Sequence, residues 1–369
     1  MIRLLGSLYS TVAVWRRQWY ARHPARRARL SRPVVSVGNL CVGGSGKTPL
    51  VGHIARLLRD SGERPAILTR GYGRRRTSEA VTIVSDGIRI RADVDSSGDE
   101  PMMLARAFPG VAVVVSASRH RAGRVAEEQL GATVHVLDDG FQHMQLERDI
   151  DLLVLSEDDL TDAPMPVGRL REPLTVAAVA DAALVSAGYL TAVDRVARAA
   201  GVGTSFQVTR VLGAPHTISS TPDPVVVPPQ SRVFAVAGIA RPERFFSDID
   251  SAGWNIVGEM GFRDHHRFTQ ADVKRIREAA RSAAAAIVLT TDKDAVRFES
   301  CDISELPMAA VPLLVGVEPA DAFREWLLAR VHAAHHRAEA SSSCASNADV
   351  PTRLGAGVAQ PIRASVIQS

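Results

Sequence analysis

The run Cys41-Val42-Gly43-Gly44-Ser45-Gly46-Lys47-Thr48 leaves a chain few architectures to choose from. An apolar stretch, Pro33 to Val37, precedes it and reads as a strand. An amphipathic stretch, Leu50 to Leu58, follows and reads as a helix. Glycines between a strand and a helix let backbone N–H groups curl around phosphate oxygens, and the helix N-terminus adds partial positive charge. Lys47 would neutralise β- and γ-phosphates, and the Thr48 hydroxyl would ligate magnesium. The general pattern has glycine where this chain has Cys41, so a plain glycine-rich turn competes. The flanking strand and helix, with Gly46-Lys47-Thr48 between them, favour a nucleoside triphosphate site.

The 369 residues suffice for two domains of ordinary size, and 46% apolar with 23% charged residues is a globular composition. The net charge is only +4, but basic residues cluster: six arginines and no acid lie between Arg16 and Arg29, and Arg74-Arg75-Arg76 form a second group. No zinc-finger spacing or aromatic RNA-binding pattern accompanies them, so no nucleic-acid partner is expected. An anionic membrane surface or a phosphorylated ligand suits them better. Cys41, Cys301 and Cys344 offer neither a disulfide framework nor metal-ligand spacing, which fits a reducing compartment. From Ile2 to Trp15 the only charge is Arg3, and Leu5, Leu8, Val12 and Trp15 share one helical face. The run is shorter than the ~20 residues of a clean span. It reads as an interfacial or marginally spanning anchor, against the alternative of an ordinary amphipathic helix packed on the domain. The arginines after it would keep the rest of the chain on the cytoplasmic side.

Downstream, strands are predicted at 65–69, 111–115, 133–137 and 150–155, a helix at 119–130, and a hairpin from Val81-Thr82-Ile83-Val84 through Ser85-Asp86-Gly87 to Ile88-Arg89-Ile90. The alternation indicates an α/β, P-loop NTPase-like doubly wound sheet, with ligands at the C-terminal ends of its strands. A proline-rich connection over 210–232 leads to a second, smaller α/β domain. The expected layout is a membrane-associating helix over 1–30, the P-loop domain over 31–215, the second domain over 225–335, and a disordered tail over 340–369.

Phosphoryl transfer needs magnesium, a positive cradle and a group that orients or deprotonates the acceptor. Asp138 and Asp139 end a hydrophobic strand, where a carboxylate can hold Mg²⁺. Asp99 and Glu100, before Pro101, read locally as a helix N-terminus with Asp99 as its cap. Asp264-His265-His266 resembles an ordinary surface pair unless folding brings His265 to Asp99, which would make a carboxylate–imidazole base. Arg171-Glu172 reads equally as a phosphate clamp with a magnesium-assisting carboxylate or as a surface ion pair. Thr291-Asp292-Lys293-Asp294 lacks the Asn-Lys-x-Asp of a guanine-reading loop, so adenine is the default.

In order, these pieces resemble the tetraacyldisaccharide 4'-kinase family. The matching stretches are Ser36 to Asn39, Val42 to Pro49, Thr69 to Arg74, Gly98 to Pro101, Leu137 to His143, Leu170 to Pro173, Ala237 to Ala240, Phe262 to Phe268 and Asp292 to Val296. The resemblance implies an inner-membrane-associated kinase, dependent on ATP and Mg²⁺, for the 4'-hydroxyl of a tetraacylated glucosamine disaccharide 1-phosphate. It makes Asp99 the base, supported by His265, and so overrides the capping reading. It assigns ATP contacts to Cys41, Val42, Gly43, Gly44, Ser45, Gly46, Lys47, Thr48 and Arg171, and magnesium to Thr48, Asp138, Asp139 and Glu172. Asn39, Arg70, Gly71, Arg74, Gln142 and His143 would face the acceptor. The stretch Met165-Pro166-Val167-Gly168-Arg169 departs from the family pattern and puts the local loop shape in question. A soluble small-molecule P-loop kinase and a membrane-bound ATPase sensor are the competing readings.

Overall fold

The phosphate loop is positioned by a central strand whose residues are all buried. In the computed structural model, which describes residues 2–43, 46–74, 80–219 and 222–347, helix α1 (Ile2–Arg22) leads into β1 (Val34–Asn39). A run of this kind, buried on both faces, is what a parallel sheet covered by helices requires. After the loop comes α2 (Lys47–Asp60), which buries Leu50, Val51, Ile54, Ala55 and Leu58 on one stripe. Then follow β2 (Pro65–Thr69), β3 (Thr82–Asp86), the short α3 (Val94–Ser97), α4 (Asp99–Ala107), β4 (Ala112–Val115), α5 (Arg119–Leu130), β5 (Val134–Asp138), β6 (Ile150–Ser156), β7 (Ala182–Ser186), α6 (Leu190–Ala199) and β8 (Ser205–Leu212). Helix α5 starts on the Ser118 side chain, which accepts from Arg121 N, and stops at Gly131 in the left-handed region.

The second layer is built from β9 (His216–Thr217), β10 (Arg232–Ala237), α7 (Pro242–Ser251), β11 (Asn255–Gly261), α8 (Gln270–Ser282), β12 (Ile287–Thr291), α9 (Asp292–Phe298) and β13 (Met308–Val311). Its sheet has the order β11-β10-β12-β13-β9. Phe268 and Phe298 stack at 3.7 Å in its core. The chain then returns to the first sheet with β14 (Leu313–Glu318) and α10 (Ala320–Asn347). That sheet has nine strands in the order β14-β8-β7-β6-β1-β5-β2-β4-β3, and its two edge strands run antiparallel to their neighbours.

Three expectations are corrected here. The assignment of 225–335 to the second domain fails beyond residue 312, because β14 pairs with β8 and Phe323, Leu327 and Val331 of α10 are buried in the first sheet's core. The Asp-Gly turn forms, with Ser85 opposite Ile90, but β3 takes β4 as its ladder partner, so the second arm of the hairpin is a single bridge. From Ala340 the chain remains helical through Asn347 instead of becoming a disordered tail, while 348–369 lie outside the described residues.

No helix among the described residues is long and apolar enough to cross a membrane, which sets aside the spanning form of the anchor. One side of α1 is docked: Arg17 pairs with Glu172, and its guanidinium lies 4.3 Å from the Phe141 ring centroid. Leu5, Leu8, Val12 and Trp15 stay 50–62% exposed, so the apolar stripe is not packed on the domain.

Candidate active site

Strands β1 and β5 lie side by side with Val37 opposite Asp138, so the glycine loop and the acidic pair leave the same sheet edge together. Gly43 and Gly46 have φ of +99° and +74°, values open to glycine but strained for other residues, and a Cβ at either would meet nothing within 4 Å. The loop is pinned from the far side, where Val42 N donates to Arg169 O at 2.8 Å. Arg169 is itself held to Asp162, Nε to Oδ2 at 2.7 Å, which answers the question about local shape. The Cys41 thiol donates to Asp159; burial first, then that carboxylate, push it up to about 12. It is a buried loop residue with no nucleophilic character. Gly44 and Ser45 lie outside the described residues.

Lys47 Nζ donates to Asn39 Oδ1 at 2.7 Å and lies 3.4 Å from Asp139. Arg171 grips Asp139 with two bonds of 2.7 Å and also reaches Asn39 Oδ1 at 2.6 Å. Two cations thus converge on one carboxylate, which suits a cradle for phosphoryl oxygens. Asn39 Nδ2 and Arg171 Nε are buried there with no hydrogen-bond partner among the described residues. Asn39, expected to face the acceptor, is 2% exposed and instead orients Lys47 and Arg171.

Asp138 behaves differently from its neighbour. Burial, then the charges of Glu100 and Asp139, push its carboxyl up to about 6. That is a concentration of negative charge which a divalent cation would relieve. Among the described residues no three His, Cys, Asp or Glu side chains converge as a metal cage. Mg²⁺ suits such a place, since it usually takes one or two carboxylates and fills its octahedron with water and phosphate oxygens. Thr48 and Asp138, both lining the cleft, fit that role. Glu172 fits it less well, because Arg17 engages both its oxygens at 3.0 and 2.8 Å and Gln142 adds a third contact. Asp139, committed to Arg171 and Lys47, is similarly engaged.

Across the cleft, folding performs the juxtaposition that sequence spacing could not show: His265 Nδ1 lies 2.9 Å from Asp99 Oδ2. Both His265 and Asp139 have positive φ, +58° and +54°, a cost of order 1–3 kcal/mol tolerated where surrounding structure over-determines the residue. Asp99 also meets Arg297 of α9, whose Nε is 2.7 Å from Oδ2. Burial alone would raise this carboxyl, but the His265 hydrogen bond and the Arg297 and Lys293 charges hold it well below the usual carboxylate range. Lys293 bonds Glu100 at 2.8 Å and Asp264 at 3.2 Å. Arg297 and Lys293 were not picked out as site residues. Lys293 lies in a stretch that matches the family and lacks a guanine-reading pattern, but neither feature gives it a role, and nothing local marks Arg297.

The cleft between the two layers has a volume of about 1420 Å³ and is lined by Lys47, Thr48, Arg70, Arg119, Asp138, Asp139, Gln142, His143, Arg171 and His265. Arg119, in sequence no more than the first residue of a helix, is 5% exposed, and its Nε has no partner among the described residues. Burial, then Arg119, Arg148, Arg16 and Arg70, push His143 down to about 4, so its ring is neutral at pH 7 in an arginine-rich recess. Gly71 is buried, and a Cβ there would come within 2.4 Å of Val115 Cγ1; its role is close packing. Arg74 has a buried Nη1 with no partner among the described residues, and Arg75 to Glu79 are not described.

The family model for tetraacyldisaccharide-1-P 4'-kinase matches residues 1–332. A tetraacyldisaccharide 4'-kinase of Koribacter versatilis is 37% identical over 327 residues, covering 86% of this chain and 95% of that one. Its counterpart in Syntrophus aciditrophicus is 35% identical over 348 residues, covering 89% and 92%. A crystal structure of LpxK from Aquifex aeolicus in complex with ATP superposes with a TM-score of 0.72 at 30% identity, covering 89% of this chain and 97% of that one. The chain belongs to the tetraacyldisaccharide-1-P 4'-kinase family.

Proposed function

We propose that the chain transfers the γ-phosphoryl group of ATP to the 4'-hydroxyl of an acylated glucosamine disaccharide 1-phosphate at the cytoplasmic face of the inner membrane. The observation that carries this is the pairing of Asp99 with His265 at 2.9 Å across a cleft whose other wall is the Lys47–Arg171 cradle. The acceptor O–H proton passes to the Asp99–His265 pair, and the oxygen forms a bond to the γ-phosphorus. The bond from that phosphorus to the β,γ-bridging oxygen breaks, and ADP leaves with the electron pair. Lys47 and Arg171 stabilise charge on the transferred group, and binding both substrates in one cleft supplies proximity. Mg²⁺ held by Thr48 and Asp138 would neutralise phosphate charge. The arginine-rich recess of Arg16, Arg70 and Arg119 suits the acceptor's own phosphate. The exposed stripe Leu5, Leu8, Val12 and Trp15 suits the lipid interface, where acyl chains stay in the membrane and the sugar enters the cleft.

The test is stoichiometry. ATP consumed and lipid phosphorylated should rise together in the wild type, and both should collapse with Asp99→Ala. ATP hydrolysis without lipid product would support the sensor reading instead.

A further inference from the structure

Arg297 is a buried cation whose three guanidinium nitrogens all donate. Its side chain is 6% exposed; Nη1 donates to Gly238 O and to Asp294 Oδ1, each at 2.8 Å, while Nε and Nη2 both donate to Asp99 Oδ2. Asp294 is in turn fixed by Gly238 N at 2.9 Å and by the Thr291 hydroxyl at 2.8 Å. The guanidinium is therefore oriented from behind by the second layer and aimed at a carboxylate of the first.

We propose that Arg297 is a positioning residue for phosphoryl transfer: it fixes Asp99 through Oδ2 and leaves Oδ1 as the oxygen able to take up a proton. This rests on the kinase reading above. With His265 Nδ1 and two Arg297 nitrogens on Oδ2, that atom has no lone pair to spare, whereas Oδ1 accepts only from Glu100 N at 2.9 Å among the described residues. A planar two-nitrogen fork imposes this asymmetry; a lysine ammonium supplies charge but not the fork. The other charged groups facing Asp99 are Lys293, which shares α9 and is balanced by Glu100 and Asp264, and His265 itself. Asp294 balances part of the Arg297 charge, yet Arg297 remains the strongest of the charges that hold the Asp99 carboxyl down, so removing it should move that carboxyl upward.

The experiment compares the pH dependence of kcat/KM for lipid phosphorylation in the wild type, Arg297→Gln and Arg297→Lys, each purified as the full chain and checked for a wild-type thermal transition. Arg297→Gln should lower kcat at least tenfold at pH 7.5 with less than a threefold change in KM for ATP, and should move the acidic limb up by at least one pH unit. Arg297→Lys should lose rate but keep the acidic limb at its wild-type position. A folded Arg297→Gln with an unmoved acidic limb overturns the proposal. If Arg297→Gln does not fold, Arg297→Lys decides alone: full wild-type kcat overturns the proposal, and a tenfold loss with an unmoved limb supports it. A wild type that labels no lipid overturns the kinase reading and this proposal with it, which separates the two failures.

Discussion

At the scale of single residues, environment decides chemistry more than residue type does. Asp138 and Asp139 are neighbours in sequence, yet one is pushed up by burial beside other acids and the other is gripped by Arg171 and Lys47. Cys41 offers a direct check. With its thiol pushed to about 12 and only 7% exposed, it should resist iodoacetamide at pH 8 under conditions that label the unfolded chain completely, as read by mass spectrometry of the Cys41 peptide. Rapid labelling in the folded protein would contradict the geometry. Lys47→Ala should reduce kcat by at least 10²-fold, because it removes a donor that acts on charge in the transition state; a loss confined to KM would mean Lys47 serves binding alone. Asp99 makes a pH prediction. Its folded carboxyl lies below the unfolded value, so it contributes stability that is fully present above about pH 4 and is lost as pH falls through the folded value. Asp99→Asn should flatten the acid limb of the melting curve between pH 5 and pH 2; an unchanged slope would refute the assignment.

At the scale of elements, the signals that proved legible were local and repetitive. The continuous apolar runs of β1, β4, β5 and β6 and the apolar stripe of α2 are visible in the sequence itself. What stayed hidden depends on partners far along the chain. The Asp-Gly turn was visible, but the availability of β4 as a better partner for β3 was not. The serines after Ala340 suggested a break, yet a helix already anchored by Phe323, Leu327 and Val331 extends at little cost once nucleated. The site shows the same division. The phosphate loop and acidic pair are contiguous motifs, whereas the Asp99–Arg297 contact spans 198 residues of sequence and the Arg17–Glu172 pair spans 155. Helix α1 yields a prediction of its own. Trp15→Glu, at an exposed position, should leave ATP binding unchanged but weaken sedimentation with vesicles of anionic phospholipid severalfold. Equal binding by both proteins would remove the interfacial role of the stripe.

At the scale of the whole molecule, the two layers are tied by the last third of the chain. Helix α9 of the second layer meets α4 of the first through Arg297–Asp99 and Lys293–Glu100, with Arg106–Glu299 just past its end, so the proposed proton acceptor is completed by groups from both layers. The chain then returns to cover the first sheet with β14 and α10. A chain ending at Pro312 should therefore lose the first sheet's edge strand and the burial of Phe323, Leu327 and Val331, each worth about 1.5–3 kcal/mol. Its ATP affinity, read by calorimetry, should fall even though every phosphate-loop residue is retained. Unaltered affinity would show that α10 is dispensable to the nucleotide site. Where the phosphate goes can be read from phosphorus NMR of the reaction product. Protein, magnesium, ATP and the disaccharide 1-phosphate should yield a second phosphate monoester resonance coupled to the proton on C4 of the distal sugar. Inorganic phosphate alone, with the lipid unchanged, would rule out transfer to the sugar hydroxyl.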